Sequence, residues 1–278
     1  MGYSHMNFLG RIADTLVDAG HDVSVLVLVL SNMITQLVTL QPLVFPHVNN
    51  GTRKSRLIQV DTSGEFREEF EAIQKENPLW TASATSPLGV LSFLPMLKRI
   101  TTKTLLRILD DKELLEQLKS EGFDVGIAEL FDFTGIGVFE AIGLKNMVGA
   151  HSTSSMQEGT AFSIGLPVLP SFMPASLGVT DDSSSFLTRM TNILFTFLSC
   201  HFQTSIADSA EKVMMEKLGS NFTPIWDTVA NMSWILSNVE PLLEYPKPTL
   251  HKVVDIGGMG VHKPKPLDEV TLYSTIRL

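Results

Sequence analysis

The first 30 residues show two different rhythms of hydrophobic positions. An i, i+3, i+4, i+7, i+8 spacing, which is typical of a helix with one buried face, runs through Leu9, Ile12, Ala13, Leu16 and Val17. Gly20 is placed to end that helix, and the run "HDVSVLVLVL" that follows has the length and the β-branched content of a buried strand. Helix, tight turn and strand make up half of a βαβ unit, so the pattern predicts a further strand before Gly2, which this sequence lacks.

The same order returns in the middle of the chain. Leucine spacing over residues 105–118 predicts helical segments that end at "SEGF", and the strand "DVGIAEL" follows. A turn, a helix over about Gly135 to Ile142 and the strand "KNMVGA" then complete a βαβ crossover. The predicted fold class is therefore α/β, with a parallel sheet covered by helices.

Residues 183–218 carry helix signals with a wide apolar stripe formed by Phe186, Met190, Ile193, Leu194, Phe197 and Leu198. We interpret this stripe as facing the core, and contact with a membrane surface is the alternative. From Trp234 the pattern predicts two short strands separated by proline-rich turns, and the final "HKPKPLDEVTLYSTIRL" has the composition of a linker.

Composition narrows the possible functions. The formal charge of −9 and the pI near 5.2 argue against a nucleic-acid-binding surface. The single cysteine, Cys200, excludes an internal disulfide and is predicted to be a buried, inert thiol. No metal site is predicted, because ligand spacing is lacking among the scattered histidines His21, His47, His201, His251 and His262.

Targeting signals are few. Residues 1–12 lack a basic segment followed by an apolar one, so no signal peptide is predicted, and the longest apolar run, Val23 to Leu30, falls short of the roughly 20 residues that cross a bilayer. Glycosylation sequons begin at Asn50, Asn221 and Asn231, and they would be used only in the secretory lumen. Two glycine-containing runs could be mistaken for a dinucleotide-binding motif. The runs "GIGVFE" and "GGMGVH" lack the context of a dinucleotide fingerprint and are interpreted as turns.

Polar residues gather where the predicted strands end, which is where ligands bind in open parallel sheets. His5 would follow the missing first strand, and Glu129 closes the strand "DVGIAE". The other candidates at this edge are Asp132, His151, Ser152 and Thr153.

His5 admits two interpretations. As a general base, it would remove a proton from a substrate hydroxyl while a carboxylate, Glu129 or Asp132, held its tautomer and stabilised the cation. The alternative is a histidine that only caps or packs the helix. His151 is interpreted as lining a pocket or satisfying a loop rather than as a second base.

Four stretches of the chain resemble the amino-terminal half of animal UDP-glucuronosyltransferases: "YSHMNFLGRIADTLVDAGHDV", "VFPHVNNGTRKSRLIQVD", "FDVGIAELFDFTGIGVFEAIG" and "EPLLEYPKPTLHKVVDIGGMGVHKPKPLDE". The resemblance implies a GT-B glycosyltransferase, in which a first Rossmann-like domain binds a lipophilic acceptor and a second binds a UDP-sugar. Residues 1–262 would then be the acceptor-binding domain without its first strand, and residues 263–278 a linker where the donor domain would begin. An extra segment over about residues 27–39 has no counterpart in the family pattern.

The resemblance also implies chemistry. Glucuronate, or another hexose, would pass from a UDP-sugar to a hydroxyl of a small lipophilic acceptor in an inverting displacement, with the UDP-sugar as co-substrate and no cofactor. The family's catalytic histidine falls on His5, and its partner, usually an aspartate, falls on Glu129, with Asp132 as the alternative. We expect His151, Ser152 and Thr153 on the acceptor side.

The resemblance further implies a glycoprotein of the endoplasmic reticulum membrane or lumen that acts in detoxification and forms homo- or hetero-oligomers with family members. Two alternatives stand beside the transferase hypothesis. The chain is either a catalytically silent acceptor-binding or regulatory module, or a fragment that does not fold stably because the lost strand leaves the sheet centre open.

Overall fold

The computed structural model describes residues 3–29, 51–61, 68, 72, 87–153, 156–178, 185–259 and 261. Its helices are α1 (Tyr3–Asp18), α2 (Pro87–Asp110), α3 (Lys112–Ser120), α4 (Thr134–Ile142), α5 (Glu158–Ser163), α6 (Phe186–Leu218) and α7 (Ile225–Asn231). Its strands are β1 (Ser24–Val29), β2 (Arg56–Asp61), β3 (Gly126–Glu129), β4 (Met147–His151), β5 (Ile235–Ser237) and β6 (Val253–Asp255), and a short 3₁₀ helix covers Pro241–Leu243.

Every strand pairing in the described residues is parallel. Strands β1 and β2 form one pair, and the other four form a sheet in the order β3-β4-β5-β6. Helix α4 crosses over from β3 to β4 as the sequence predicts, and Gly20 follows α1 with a φ of +93°. The predicted α/β fold with parallel strands is therefore confirmed.

The register of the four-stranded sheet brings its carboxyl ends to one edge. Glu129 lies opposite Ala150, His151 opposite Ser237, and Ser237 opposite Asp255. Residues that directly follow these strands are thus neighbours in space, whatever their separation along the chain.

Helices cover both faces of this sheet. On one face, Phe8 and Ile12 of α1 pack against Ala150, with Ile127 and Leu236 beside them. On the other face lies the larger core, whose fully buried members include Leu105, Ile136, Ile206, Ile225 and Ile235. Because successive side chains of a strand point to opposite faces, each strand contributes alternate residues to the two cores.

The predicted strand before Gly2 stays a prediction. In the described part of the chain, β1 pairs with β2 and β3 pairs with β4, and the larger core includes side chains from both pairs. Residues 30–39 of the expected extra segment, and the whole of the expected linker at 263–278, lie outside the described residues.

Helix α6 corrects the interpretation of its apolar stripe. Phe186 is 68% exposed and Phe197 is 70% exposed, and Met190, Ile193 and Leu194 are exposed as well. The buried side of this half of the helix carries Phe195 together with the polar residues Asn192, Thr196 and Ser199. Of the stripe, Leu198 packs against the larger core as predicted, whereas the other members are exposed.

A cavity of about 270 Å³ opens beside α6 and is lined by Phe162, Val168, Pro170, Ile193, Thr196, Phe197 and Cys200. Cys200 is half-buried at its wall, so the prediction of a buried thiol is wrong.

No helix among the described residues combines the length and the apolar character that a bilayer span requires.

Leu105 offers a direct test of the larger core. Its side chain is fully buried and approaches the backbone of Gly137, so we expect Leu105→Ala to lower the free energy of unfolding by about 2–5 kcal/mol. The matched control is Leu242→Ala, since Leu242 is 90% exposed and its truncation should change stability by no more than about 0.5 kcal/mol. Urea unfolding measures both values, and equal losses would contradict the assigned core.

Candidate functional site

His5 lies in the first turn of α1, at the edge where the strands of the larger sheet end. Its imidazole makes an edge-on contact with the ring of Phe131, with the ring centroids 4.9 Å apart, and its side chain is 16% exposed. The packing of Phe8 and Ile12 fixes α1 on the sheet, and this packing brings His5 over the ends of β3 and β4.

Glu129 is the last residue of β3 and points to the α1 face of the sheet. It shares that face with Ile127, two positions earlier, whereas Ala128 belongs to the larger core. The carboxylate is fully buried: Oε1 accepts a hydrogen bond from the Ser152 backbone N–H at 3.3 Å, and Oε2 lies 3.6 Å from His5 Nδ1. Among the described residues, Oε2 has no hydrogen-bond partner.

Ser152 directly follows β4 and completes this group. Its Oγ lies 2.6 Å from His5 Nδ1, and its carbonyl oxygen accepts a hydrogen bond from Asn238 Nδ2 at 2.9 Å. Asn238 follows β5, and its backbone N–H donates to the carbonyl of His151 at 3.0 Å. Sequence reasoning missed Asn238, although its place after a predicted strand at the same edge was a usable signal.

His151 occupies the opposite face of the sheet from Ser152. Its Nε2 lies 3.1 Å from Thr160 Oγ1, and Gln203 donates to that hydroxyl and to the carbonyl of Leu130. The side chain is fully buried, and Nδ1 has no hydrogen-bond partner among the described residues. His151 therefore lies on the far side of β4 from His5 and supports the floor of the site, and its role on the acceptor side stays a prediction.

Burial determines the charge of His151. Desolvation, together with the smaller effects of the positive charges of Lys247 and His5, lowers the pKa of His151 to about 3. The imidazole is consequently neutral at physiological pH and is suited to hydrogen bonding within the fold.

Asp132, the alternative partner of His5, makes a local contact in the structure. Its Oδ1 accepts a hydrogen bond from the Thr134 backbone N–H at 3.1 Å, in the turn that leads into α4. Phe133, between the two, adopts a left-handed conformation with a φ of 59° and packs its buried ring edge-on against Trp226. Glu129 is the carboxylate that faces the imidazole in the structure, and a partner role for Asp132 stays a prediction.

The remaining candidates divide by position. Thr153 lies next to Ser152 and is half-buried, and its role on the acceptor side stays a prediction. Asn221 and Asn231 are exposed on either side of α7, whereas Asn50 lies outside the described residues, and glycosylation stays a prediction for all three. Within the described ranges, no three His, Cys, Asp or Glu side chains are grouped in a way that could hold a metal ion.

The arrangement favours proton transfer. An imidazole that is partly open to solvent faces a buried carboxylate, which can stabilise a positive charge that forms on the ring during a reaction. A polar contact fixes the ring on the Nδ1 side, so Nε2 is the nitrogen left for a substrate.

The pH dependence of stability tests the environment of His151. A folded-state pKa of about 3, below the usual 6.5, means that the unfolded chain binds more protons between these values, so stability is full above pH 6.5 and is lost as the pH falls towards 3. We expect the free energy of unfolding to fall by about 2–3 kcal/mol more in the wild type than in His151→Gln between pH 7.5 and 4.5. Equal losses in urea unfolding, or an NMR titration of His151 near pH 6.5, would contradict this assignment.

Comparisons with known proteins point to one family. A family model described as "UDP-glucoronosyl and UDP-glucosyl transferase" matches residues 1–274. The chain is 26% identical to a putative UDP-glucuronosyltransferase of Caenorhabditis elegans, ugt-48, over 93% of this chain and 47% of the relative. It is also 23% identical to human UDP-glucuronosyltransferase 3A2, over 97% of this chain and 48% of the relative.

A shorter match reaches 30% identity with mouse UDP-glucuronosyltransferase 1A7, over 58% of this chain and 30% of the relative. No solved structure matches the chain. The chain spans about half the length of the curated relatives that it matches along most of its length. Because the family model covers nearly every residue, the chain belongs to the UDP-glucuronosyl and UDP-glucosyl transferase family.

Proposed function

We propose that this chain is the acceptor-binding half of a glycosyltransferase that moves glucuronate, or another hexose, from a UDP-sugar to a hydroxyl of a small lipophilic molecule. The observation that carries the proposal is the buried Glu129 carboxylate, whose Oε2 lies 3.6 Å from His5 Nδ1 and has no hydrogen-bond partner in the described part of the chain. A buried carboxylate in this state is costly unless a positive charge forms beside it. Protonation of His5 during a reaction supplies that charge.

The mechanism follows from the two ring nitrogens. The proton of neutral His5 sits on Nδ1, facing Glu129 and Ser152, so the lone pair of Nε2 accepts the proton of the acceptor hydroxyl. The acceptor oxygen then forms a bond to the anomeric carbon of the sugar, the bond from that carbon to the UDP oxygen breaks, and UDP leaves with the electron pair. Attack from the side opposite to UDP inverts the anomeric configuration.

The relationship to this family supports the choice of a UDP-sugar and an acceptor as the two substrates. The two relatives that match most of this chain are named as UDP-glucuronosyltransferases, and the chain is similar to about half of the length of each. We assign the acceptor to the His5 edge of this half and the UDP-sugar to a second half. The half-buried Phe131 beside His5 offers an apolar wall to a lipophilic acceptor.

If His5 is the general base, its replacement should lower the rate of sugar transfer. In a hybrid that joins this sequence to the carboxy-terminal half of one of the relatives, we expect His5→Gln to lower kcat about 10²- to 10⁴-fold, because the base is lost while its polarity is kept. The measurement is the release of UDP from UDP-glucuronate with 1-naphthol as acceptor.

The matched control is His201→Gln, since His201 is an exposed histidine on α6 and its replacement should leave kcat unchanged. A hybrid that binds UDP-sugar yet transfers nothing would contradict the proposed function, and an unchanged kcat in His5→Gln would remove the proposed base.

One observation keeps a second function in view. Because the chain covers only about half of its relatives, binding an acceptor without transferring a sugar is the activity that this half supports by itself. Turnover by the hybrid separates the two functions, because it is expected only of the transferase. Calorimetry with 1-naphthol tests what both require, which is binding of the acceptor to this chain.

A further inference from the structure

We infer that Ser152 is the positioning residue of His5: its hydroxyl accepts the Nδ1 proton and fixes the imidazole in the tautomer that leaves Nε2 free for the substrate. The inference rests on the proposed function for its catalytic meaning. The contact itself, 2.6 Å between Oγ and Nδ1, is shorter than the 3.6 Å between Nδ1 and Glu129 Oε2. Of the two, only the serine is within hydrogen-bonding distance of the ring.

The direction of this hydrogen bond follows from charge. A serine hydroxyl either donates to Nδ1 or accepts from it, and the two cases leave opposite tautomers. The Glu129 carboxylate on the same side of the ring attracts the Nδ1 proton, and its burial strengthens that attraction. His5 is therefore the donor, and the serine oxygen is the acceptor.

Ser152 is itself held from two sides. Its backbone N–H donates to Glu129 Oε1 at 3.3 Å, and its carbonyl accepts from the Asn238 side chain at 2.9 Å. Glu129 at the end of β3 and Asn238 after β5 thus fix the serine backbone, and the hydroxyl on that backbone contacts the imidazole. Glu129 acts on His5 in two ways: as a charge near the ring and as the anchor of the serine that orients it.

The distance between Glu129 and the ring explains the need for the serine. A carboxylate 3.6 Å from Nδ1 stabilises a cation on the ring but does not bind the Nδ1 proton directly. The charge alone favours the Nδ1-protonated form but gives the ring no directional hydrogen bond that would hold it there. Ser152 supplies the directional contact that the carboxylate lacks.

The tautomer of His5 is measured directly by long-range ¹H–¹⁵N NMR of this chain at pH 9, with the His5 signals assigned by their loss in His5→Gln. We expect the Nδ1-protonated form in the wild type. In Ser152→Ala we expect a shift towards the Nε2-protonated form that a free histidine side chain favours, and Ser152→Thr, which keeps a hydroxyl, should restore the wild-type pattern. The control is Ser120→Ala, because Ser120 is exposed on α3 and its hydroxyl only donates to a backbone carbonyl.

Thermal melting identifies any variant that does not fold. Ser152→Cys serves in place of the alanine variant in that case, since it keeps the size of the side chain and weakens the acceptor. In the hybrid transferase, Ser152→Ala should lower kcat about 10- to 100-fold with little change in KM, and Ser152→Thr should restore it.

The outcomes separate the two proposals. An Nε2-protonated His5 in the wild type, or an unchanged tautomer in folded Ser152→Ala and Ser152→Cys, would overturn the role of Ser152. A tautomer that responds to Ser152 while His5→Gln keeps full transferase activity would leave the positioning role intact and would remove the proposed base.

Discussion

The packing of α1 on the larger sheet is the contact on which the site depends. Phe8 and Ile12 bury their side chains against Ala150, and the small size of this alanine allows the helix to lie close to β4. His5 stands one helical turn before Phe8, so the same packing places its ring over the ends of the strands. Without it, Glu129 would be a buried carboxylate with no cation to stabilise.

The alternation of side chains along each strand then decides which polar residues meet His5. Glu129 and Ser152 point to the α1 face, whereas His151, one residue before Ser152, points to the other face and joins Thr160 and Gln203. One edge of the sheet therefore carries two polar groups with different tasks. The group under α1 is the one to which we assign proton transfer in the proposed function, and the group on the opposite face joins the end of β4 to α5 and α6.

Much of this fold was predictable because local rules determine it. The 3.6-residue spacing of α1, the buried strands and the βαβ crossover all follow from side-chain periodicity, and Glu129 closes its strand as the sequence indicates. The edge of the sheet alone did not indicate that His151 lies on the opposite face from His5, which follows from the alternation of side chains along β4. Nor did it indicate the local hydrogen bond of Asp132 to the Thr134 backbone N–H.

Other features depend on contacts between distant parts of the chain. Phe133 adopts a left-handed conformation, and its buried ring packs against Trp226, which lies 93 positions later in the sequence. The sequence around Phe133 does not predict this conformation. Most of the apolar stripe of α6 is exposed, whereas the buried side of the same half carries Phe195 with Asn192, Thr196 and Ser199, and hydrophobicity alone does not indicate this choice. The contact of Ser152 with His5 joins residues separated by 147 positions.

The claim central to this account is that His5 and Glu129 act as one unit. A double-mutant cycle on kcat/KM in the hybrid transferase, with His5→Gln, Glu129→Gln and the double variant, measures their coupling directly. If the carboxylate acts through the imidazole, the double variant will be no slower than His5→Gln alone. Losses that multiply, as for two independent residues, would contradict the account.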